Sequence, residues 1–134
     1  RMKMGREHLV PLSPQVVGML RQLRELSDGH YIFPSVTGDG VMSQNTMIFS
    51  LYRLGYHKKL TVHGFRSMAS TILNESGFNR DWVELQLAHV DGSVRGVYNS
   101  ATYLDGRRTM LRWWSDYLSA AIQSTTVDSR QRTD

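Results

Sequence analysis

The stretch His63-Gly64-Phe65-Arg66 opens the most regular segment of this 134-residue chain. Apolar residues follow it at helical spacing, and Gly77 then offers the left-handed conformation that commonly ends a helix. The pattern predicts a helix that begins at His63 or Gly64, with His63 and Arg66 on one face of its first turn. The apolar stripe of this helix comprises Phe65, Met68, Ala69, Ile72 and Leu73.

The first turn of a helix suits a phosphate group, because its backbone N–H groups and the positive end of its dipole face an anion. Arg66 adds a planar guanidinium that can bind two phosphate oxygens. His63 can donate a hydrogen bond or move a proton near neutral pH. The alternative interpretation is a capping histidine beside a surface arginine, and this pair alone leaves both open.

Two residues extend the pattern downstream. His89 is expected to close the next helix, where the helix dipole favours its protonated form, and Tyr98 follows on a short segment beside Arg95. Each has an ordinary alternative, His89 as a capping residue and Tyr98 as a packed side chain with a solvated hydroxyl. Tyr103 is the rival nucleophile. Together, the residues His63, Arg66, His89 and Tyr98 form an ordered set. Such a set can hold a phosphodiester, neutralise its developing charge and attack it with a phenol.

Composition narrows the class of function. No apolar run reaches the ~18 residues that a membrane span needs, and the absence of cysteine excludes disulfides, thiol catalysis and thiolate zinc sites. No histidine pair has metal-ligand spacing and no phosphate-binding loop occurs, so we expect neither a metal nor a nucleotide cofactor. A net charge of +4 favours a polyanionic partner, with an ordinary solvated surface as the alternative.

Start and stop signals predict a mainly α-helical domain with a small N-terminal β element, a strand at residues 7–12. We expect residues 1–122 to form one domain and residues 123–134 to form a polar, disordered tail. The predicted helices run from Ser13-Pro14 to about Ser27, from Ser43 to Gly55, from His63 to Gly77, from Asn79 to His89, and from Leu104 to Ile122.

Three further stretches add to the ordered set: Arg1-Met2-Lys3-Met4 followed by His8-Leu9-Val10-Pro11-Leu12-Ser13, Leu87-Ala88-His89, and Tyr103-Leu104-Asp105-Gly106-Arg107-Arg108 with Trp113 and Tyr117. With them, residues 1–118 resemble the catalytic domain of tyrosine recombinases, in particular phage and prophage integrases. The last stretch is similar to the tail of integrases from the prophage and genomic-island branch. Tyr98 stands at the family's spacing from His89.

The resemblance implies the C-terminal portion of a DNA breaking-rejoining catalytic domain, with a role for each matched residue. Tyr98 would attack the scissile phosphate, leaving a 3′-phosphotyrosyl link and a free 5′-hydroxyl. Arg66 would stabilise the pentacoordinate transition state, while His63 assists proton transfer and His89 binds a phosphate oxygen. Lys3, on a β-hairpin, would protonate the departing 5′-oxygen. No metal is implied, because Arg and His can supply the charge stabilisation, and no ATP is needed, because the covalent link conserves the phosphodiester energy.

The resemblance also implies partners and a location. The expected partners are double-stranded DNA at attachment sites, further copies of the protein assembled on that DNA, and accessory DNA-bending proteins. A cytoplasmic, nucleoid-associated protein of a bacterium or phage is expected, with no membrane partner. The aromatic residues Trp113, Trp114 and Tyr117 can serve a contact between protomers or close the domain's own core.

One departure from the family concerns its first catalytic arginine, which precedes the hairpin lysine on an earlier helix. Arg1 is not in that context. The sequence therefore predicts a portion of a longer integrase that is nearly inactive by itself, since losing one transition-state donor costs ~10²–10³ in rate. The alternative function is a non-catalytic DNA-binding or protein-interaction module on the same fold. A type IB topoisomerase shares the active-site plan and is a more distant alternative.

Overall fold

The computed structural model describes residues 8–27, 29–35, 40–88 and 103–131, with side chains described to residue 124. Most of these residues are helical, which confirms the predicted class, and none of the helices in these ranges is long and apolar enough to cross a membrane. The helices are α1 Pro14–Glu25, α2 Thr46–Leu51, α3 Val62–Glu75, α4 Arg80–Gln86 and α5 Leu104–Gln131, and a π-helical turn, Tyr52–Tyr56, extends α2.

The predicted N-terminal strand is not observed in the described part of the chain. Residues 8–12 have no regular secondary structure, and the β pairing within the described ranges is limited to a bridge between Pro34 and Val41. A strand needs a partner for its backbone groups, whereas the Leu9 carbonyl accepts a hydrogen bond from the Arg107 guanidinium at 2.6 Å. Residues 1–7 lie outside the described ranges.

Capping side chains start three of the helices. Ser13 precedes α1 and accepts a hydrogen bond from the Val16 N–H at 3.3 Å, as the Ser-Pro signal predicts. Asn79 caps α4 through the N–H of Asp81 at 2.8 Å. For α3 the cap is Thr61, so this helix begins at Val62 rather than at His63 or Gly64.

Gly77 ends α3 in the way its position predicts. Its φ of 81° lies in the left-handed region. The Phe78 N–H donates to the Leu73 carbonyl at 3.2 Å and the Gly77 N–H donates to that of Asn74 at 3.1 Å. These two bonds form a Schellman motif. The turn places Phe78 against the core.

Two helix ends differ from prediction. Helix α4 ends at Gln86 rather than at His89, because Ala88 already adopts a left-handed conformation with a φ of 52°. Helix α5 continues past Ile122 to Gln131, since residues 123–131 contain neither Gly nor Pro to stop it. The division into a domain of residues 1–122 and a disordered tail of residues 123–134 stays a prediction.

The core lies where α3, α4 and α5 meet, with one buried apolar residue from each helix: Leu73, Val83 and Met110. Trp113 and Trp114 pack against this core, so these two residues close the domain's own interior. Fully burying one such side chain contributes roughly 1.5–3 kcal/mol. The neighbouring side chains that complete the cluster are Phe78, Trp82 and Leu87.

Helix α1 joins the core helices through polar contacts with α5. The hydroxyl of Ser115 donates to that of Ser13 at 2.6 Å, and the Gln15 amide donates to the Asp116 carboxylate at 2.6 Å. Ser13 is buried, so its hydroxyl both caps α1 and fixes the start of this helix against α5.

Gly106 supports a prediction about stability. A β-carbon at this position would lie 2.5 Å from Cε2 of Trp82, closer than any packed side chain tolerates. Gly106→Ala should therefore lower the free energy of unfolding by about 1–3 kcal/mol through overpacking, as measured by urea denaturation of the chain.

The matched control is Gly18→Ala in α1, where nothing lies within 4 Å of the added carbon. Because alanine favours a helix over glycine, this change should raise stability by about 0.5–1 kcal/mol. If Gly106→Ala and Gly18→Ala changed the free energy of unfolding in the same direction and by the same amount, the close contact between Gly106 and Trp82 would be contradicted.

Candidate active site

His63 and Arg66 lie on the first turns of α3, as the sequence predicts. The side chain of Thr61 accepts the Gly64 N–H at 3.0 Å, so the helix start is already capped from within. His63 is exposed, whereas Arg66 is half-buried. The cap occupies the Gly64 N–H, and the side chains of His63 and Arg66 remain candidate ligands for an anion at this turn.

Arg66 connects α3 to the end of α4. Its guanidinium donates a hydrogen bond from Nη2 to the carbonyl of Leu87, which is the residue that caps α4. A guanidinium carries five N–H donors, so this contact leaves most of them for a phosphate. The same side chain can thus fix the end of α4 and bind an anion.

The chain turns at Ala88, directly after this contact. A non-glycine residue in the left-handed region costs roughly 1–2 kcal/mol, and the Ala88 N–H donates to the Leu85 carbonyl at 3.0 Å. Because Ala88 immediately precedes His89, its conformation sets the direction in which the chain leaves α4. The carbonyl of Leu87 that Arg66 contacts belongs to the peptide unit that leads into this turn.

Three of the predicted site residues, Lys3, His89 and Tyr98, lie outside the described residues. The structure brings His63 and Arg66 together on one helix. It also brings Arg66 against Leu87, two positions before His89 in the sequence. The roles assigned to all five residues stay predictions.

Tyr103, the rival nucleophile, lies by the other end of α4. Its hydroxyl donates to the carboxylate of Asp81 at 3.4 Å. Asp81 and Leu87 are six residues apart, which corresponds to about 9 Å along a helix. The Tyr103 hydroxyl and the Arg66 guanidinium thus contact opposite ends of α4.

Arg107 is a residue whose importance the sequence analysis missed. It is 1% exposed, and its Nε and Nη2 both donate to the Gln86 side-chain oxygen, at 3.1 and 2.8 Å. Nη2 also donates to the Leu9 carbonyl. Burial lowers the pKa of the guanidinium from its usual value. Helical spacing could have indicated that Arg107 is buried, since it precedes the core residue Met110 by three positions and so lies on the same face of α5.

Exposed basic residues precede α3 in the chain. The side chains of Arg53, His57, Lys58 and Lys59 are exposed, and they immediately precede the helix. Within the described residues, no group of three or more His, Asp or Glu is arranged to hold a metal ion. The charge beside His63 is therefore positive and suits a polyanion.

Comparison with known proteins points in one direction. The sequence profile of the phage integrase family matches residues 1–104. Prophage integrase IntA of Escherichia coli strain K12 is 45% identical over 130 residues, which cover 95% of this chain and 32% of that protein. The integrase of enterobacteria phage P4 is 45% identical over 127 residues, covering 87% of this chain and 28% of that protein.

A third relative, the integrase of Shigella phage Sf6, is 37% identical over 126 residues, covering 91% of this chain and 33% of that protein. The chain thus spans about a third of the length of the curated relatives it matches. No solved structure matches the chain significantly.

The left-handed turn at Ala88 generates a prediction. Ala88→Gly should raise the free energy of unfolding by about 0.5–1 kcal/mol, because glycine adopts this conformation without a steric penalty. Ala88→Val should lower it, since a β-branched side chain fits this region poorly. Chemical denaturation of both variants measures the difference.

Gly77 provides the control in the opposite direction, because it has a similar φ at the end of α3. Gly77→Ala should cost about 1 kcal/mol. A loss of stability in Ala88→Gly would be inconsistent with a left-handed Ala88.

Proposed function

The chain belongs to the phage integrase family, and from that premise we propose that it carries the catalytic tyrosine of a site-specific DNA recombinase. The substrate would be double-stranded DNA at the attachment sites of a phage or mobile element. The observation that carries the proposal is the contact of Arg66 with Leu87, because it joins the His63–Arg66 turn to the segment that leads into His89.

In the proposed reaction, the Tyr98 hydroxyl oxygen attacks the scissile phosphorus and the bond from phosphorus to the 5′-oxygen breaks. The phenolic proton passes to His63, and the departing 5′-oxygen takes a proton from the Lys3 ammonium group. Arg66 and His89 donate hydrogen bonds to the non-bridging oxygens as negative charge builds on them. Attack by a 5′-hydroxyl on the phosphotyrosyl link rejoins a strand without ATP.

The geometry supports Tyr98 over Tyr103 as the nucleophile. A transition-state donor and a nucleophile must reach the same phosphate, and reacting atoms need to come within about 3–3.5 Å. The Tyr103 hydroxyl contacts Asp81, whereas Arg66 contacts Leu87 at the far end of α4.

The exposed basic residues before α3 fit a contact with the DNA backbone. Lysine and arginine side chains bind phosphates without regard to sequence and make the affinity depend on salt. We further propose that Lys3 lies on a β-hairpin, as the family resemblance implies. Such a hairpin delivers Lys3 to the 5′-oxygen while the helices hold the phosphate.

The first test is covalent capture of DNA by the natural full-length protein. With nicked duplexes that carry the attachment site, wild type should form a protein–DNA adduct at Tyr98, identified by mass spectrometry after denaturing electrophoresis. Tyr98→Phe should abolish the adduct while DNA binding persists, because the phenylalanine lacks only the attacking oxygen.

Tyr103→Phe is the matched control and should retain the adduct. An adduct that maps to Tyr103 would keep the enzyme but change the nucleophile. DNA binding with no adduct in the wild-type protein would favour a non-catalytic DNA-binding module.

A second test compares the 134-residue chain with the full-length protein. We expect the chain alone to form the adduct ~10²–10³-fold more slowly, because the family's first arginine lies upstream of the hairpin lysine. Quantification of adduct against time on the same nicked duplex gives this ratio. Equal rates would show that residues 1–134 suffice for cleavage.

A further inference from the structure

Arg107 is a buried cation that the proposed chemistry does not use. The guanidinium is enclosed between α5, α4 and the segment before α1, and its acceptors among the described residues are the Gln86 amide oxygen and the Leu9 carbonyl. Both acceptors are uncharged. A buried charge that has only neutral partners is costly, so an apolar side chain at this position would satisfy the fold at lower cost.

The contacts of Arg107 join two segments that are far apart in sequence. Leu9 follows Lys3 by six positions, and Gln86 precedes His89 by three. Two bonds to a single oxygen fix the guanidinium against α4, and the third bond, at 2.6 Å, then fixes the Leu9 carbonyl. Arg107 therefore sets the position of the segment after Lys3 relative to the end of α4.

Arg66 contacts the same end of α4 through the Leu87 carbonyl. Gln86 and Leu87 are adjacent, so two arginines on two different helices act on one turn. Arg66 is the proposed phosphate ligand. The positions of the phosphate and of the segment after Lys3 are therefore both fixed relative to the last turn of α4. A shift of the Leu9 segment by about 1 Å is enough to cost ~10²-fold in a reaction that depends on proton delivery.

We propose that Arg107 is a positioning residue for cleavage: it holds the segment after Lys3 in register with the phosphate site, so that the Lys3 ammonium group reaches the departing 5′-oxygen. This proposal rests on the proposed function and extends it to a residue outside the reacting set. Arg107 touches neither DNA nor the reacting atoms in this scheme and acts through Leu9.

The test compares two leaving groups in the natural full-length protein. One attachment-site duplex has the normal 5′-oxygen at the scissile phosphate, and the other has sulfur in its place. A thiol has a pKa of about 8.5, far below that of an alcohol, so the bond from phosphorus to sulfur breaks to give a thiolate without a proton donor. The ratio of the sulfur rate to the oxygen rate thus reports proton delivery to the leaving group.

Arg107→Met should form the adduct ~10²-fold more slowly than wild type with the oxygen duplex, and the sulfur duplex should recover most of this loss. Lys3→Ala should show the same rise in the ratio, whereas Arg66→Ala should be slow with both duplexes. Arg107→Lys keeps the charge but cannot bond both oxygens in the same way. It should show a smaller rise, and it provides the test if Arg107→Met does not fold.

Two controls separate positioning from stability. Gly106→Ala disturbs the adjacent position through Trp82 and should leave the ratio unchanged. Arg108→Gln removes an exposed charge that pairs with Asp105 at 2.9 Å and should behave as wild type. An equal loss with both duplexes in the folded Arg107 variants would overturn the proposal and leave Arg107 a stabilising residue. No adduct from wild type with either duplex would instead overturn the proposed function, and with it this inference.

Discussion

The last turn of α4 is the point on which the candidate site depends. A helix of seven residues does not persist alone, because the cost of nucleation exceeds what so few hydrogen bonds return. Contacts from its neighbours hold it: Val83 packs in the core between α3 and α5, and the arginines Arg66 and Arg107 bond its final turn. The core fixes where the helix lies, and the two guanidinium groups fix how it ends.

Leu87 contributes both to the packing of the core and to the position of the Arg66 side chain. Leu87 packs against the core while its carbonyl is held by Arg66. A residue that binds a phosphate has to be preorganised to stabilise a transition state, since any rearrangement during the reaction would raise the barrier. In the proposed reaction, the hydrogen bond from Arg66 to Leu87 would supply this preorganisation, because Leu87 ends a packed helix.

The sequence predicted the features whose causes are local. Ser13, Asn79 and Gly77 act on the few residues beside them, so their capping roles follow from residue type and spacing, and the His63–Arg66 pair follows from the same helical period. Ala88 could not be predicted in this way, and the spacing of Arg107 from Met110 indicates burial but not its partners. Alanine gives no sign of a left-handed turn, and the partners of Arg107 lie 21 and 98 positions away. His89 and Tyr98 became candidates through their order after the His63–Arg66 pair and Lys3 through the family resemblance, and the roles of all three stay predictions.

The packing of the tryptophans has a practical consequence for spectroscopy. The chain contains three of them, and Trp82, Trp113 and Trp114 all pack around the same core. Intrinsic fluorescence will therefore report the environment of the joint between α3, α4 and α5 rather than an average over the whole chain. The exposed basic surface before α3 carries no indole of its own, so a probe attached there and the native fluorophores give separate signals for ligand contact and for integrity of the interior.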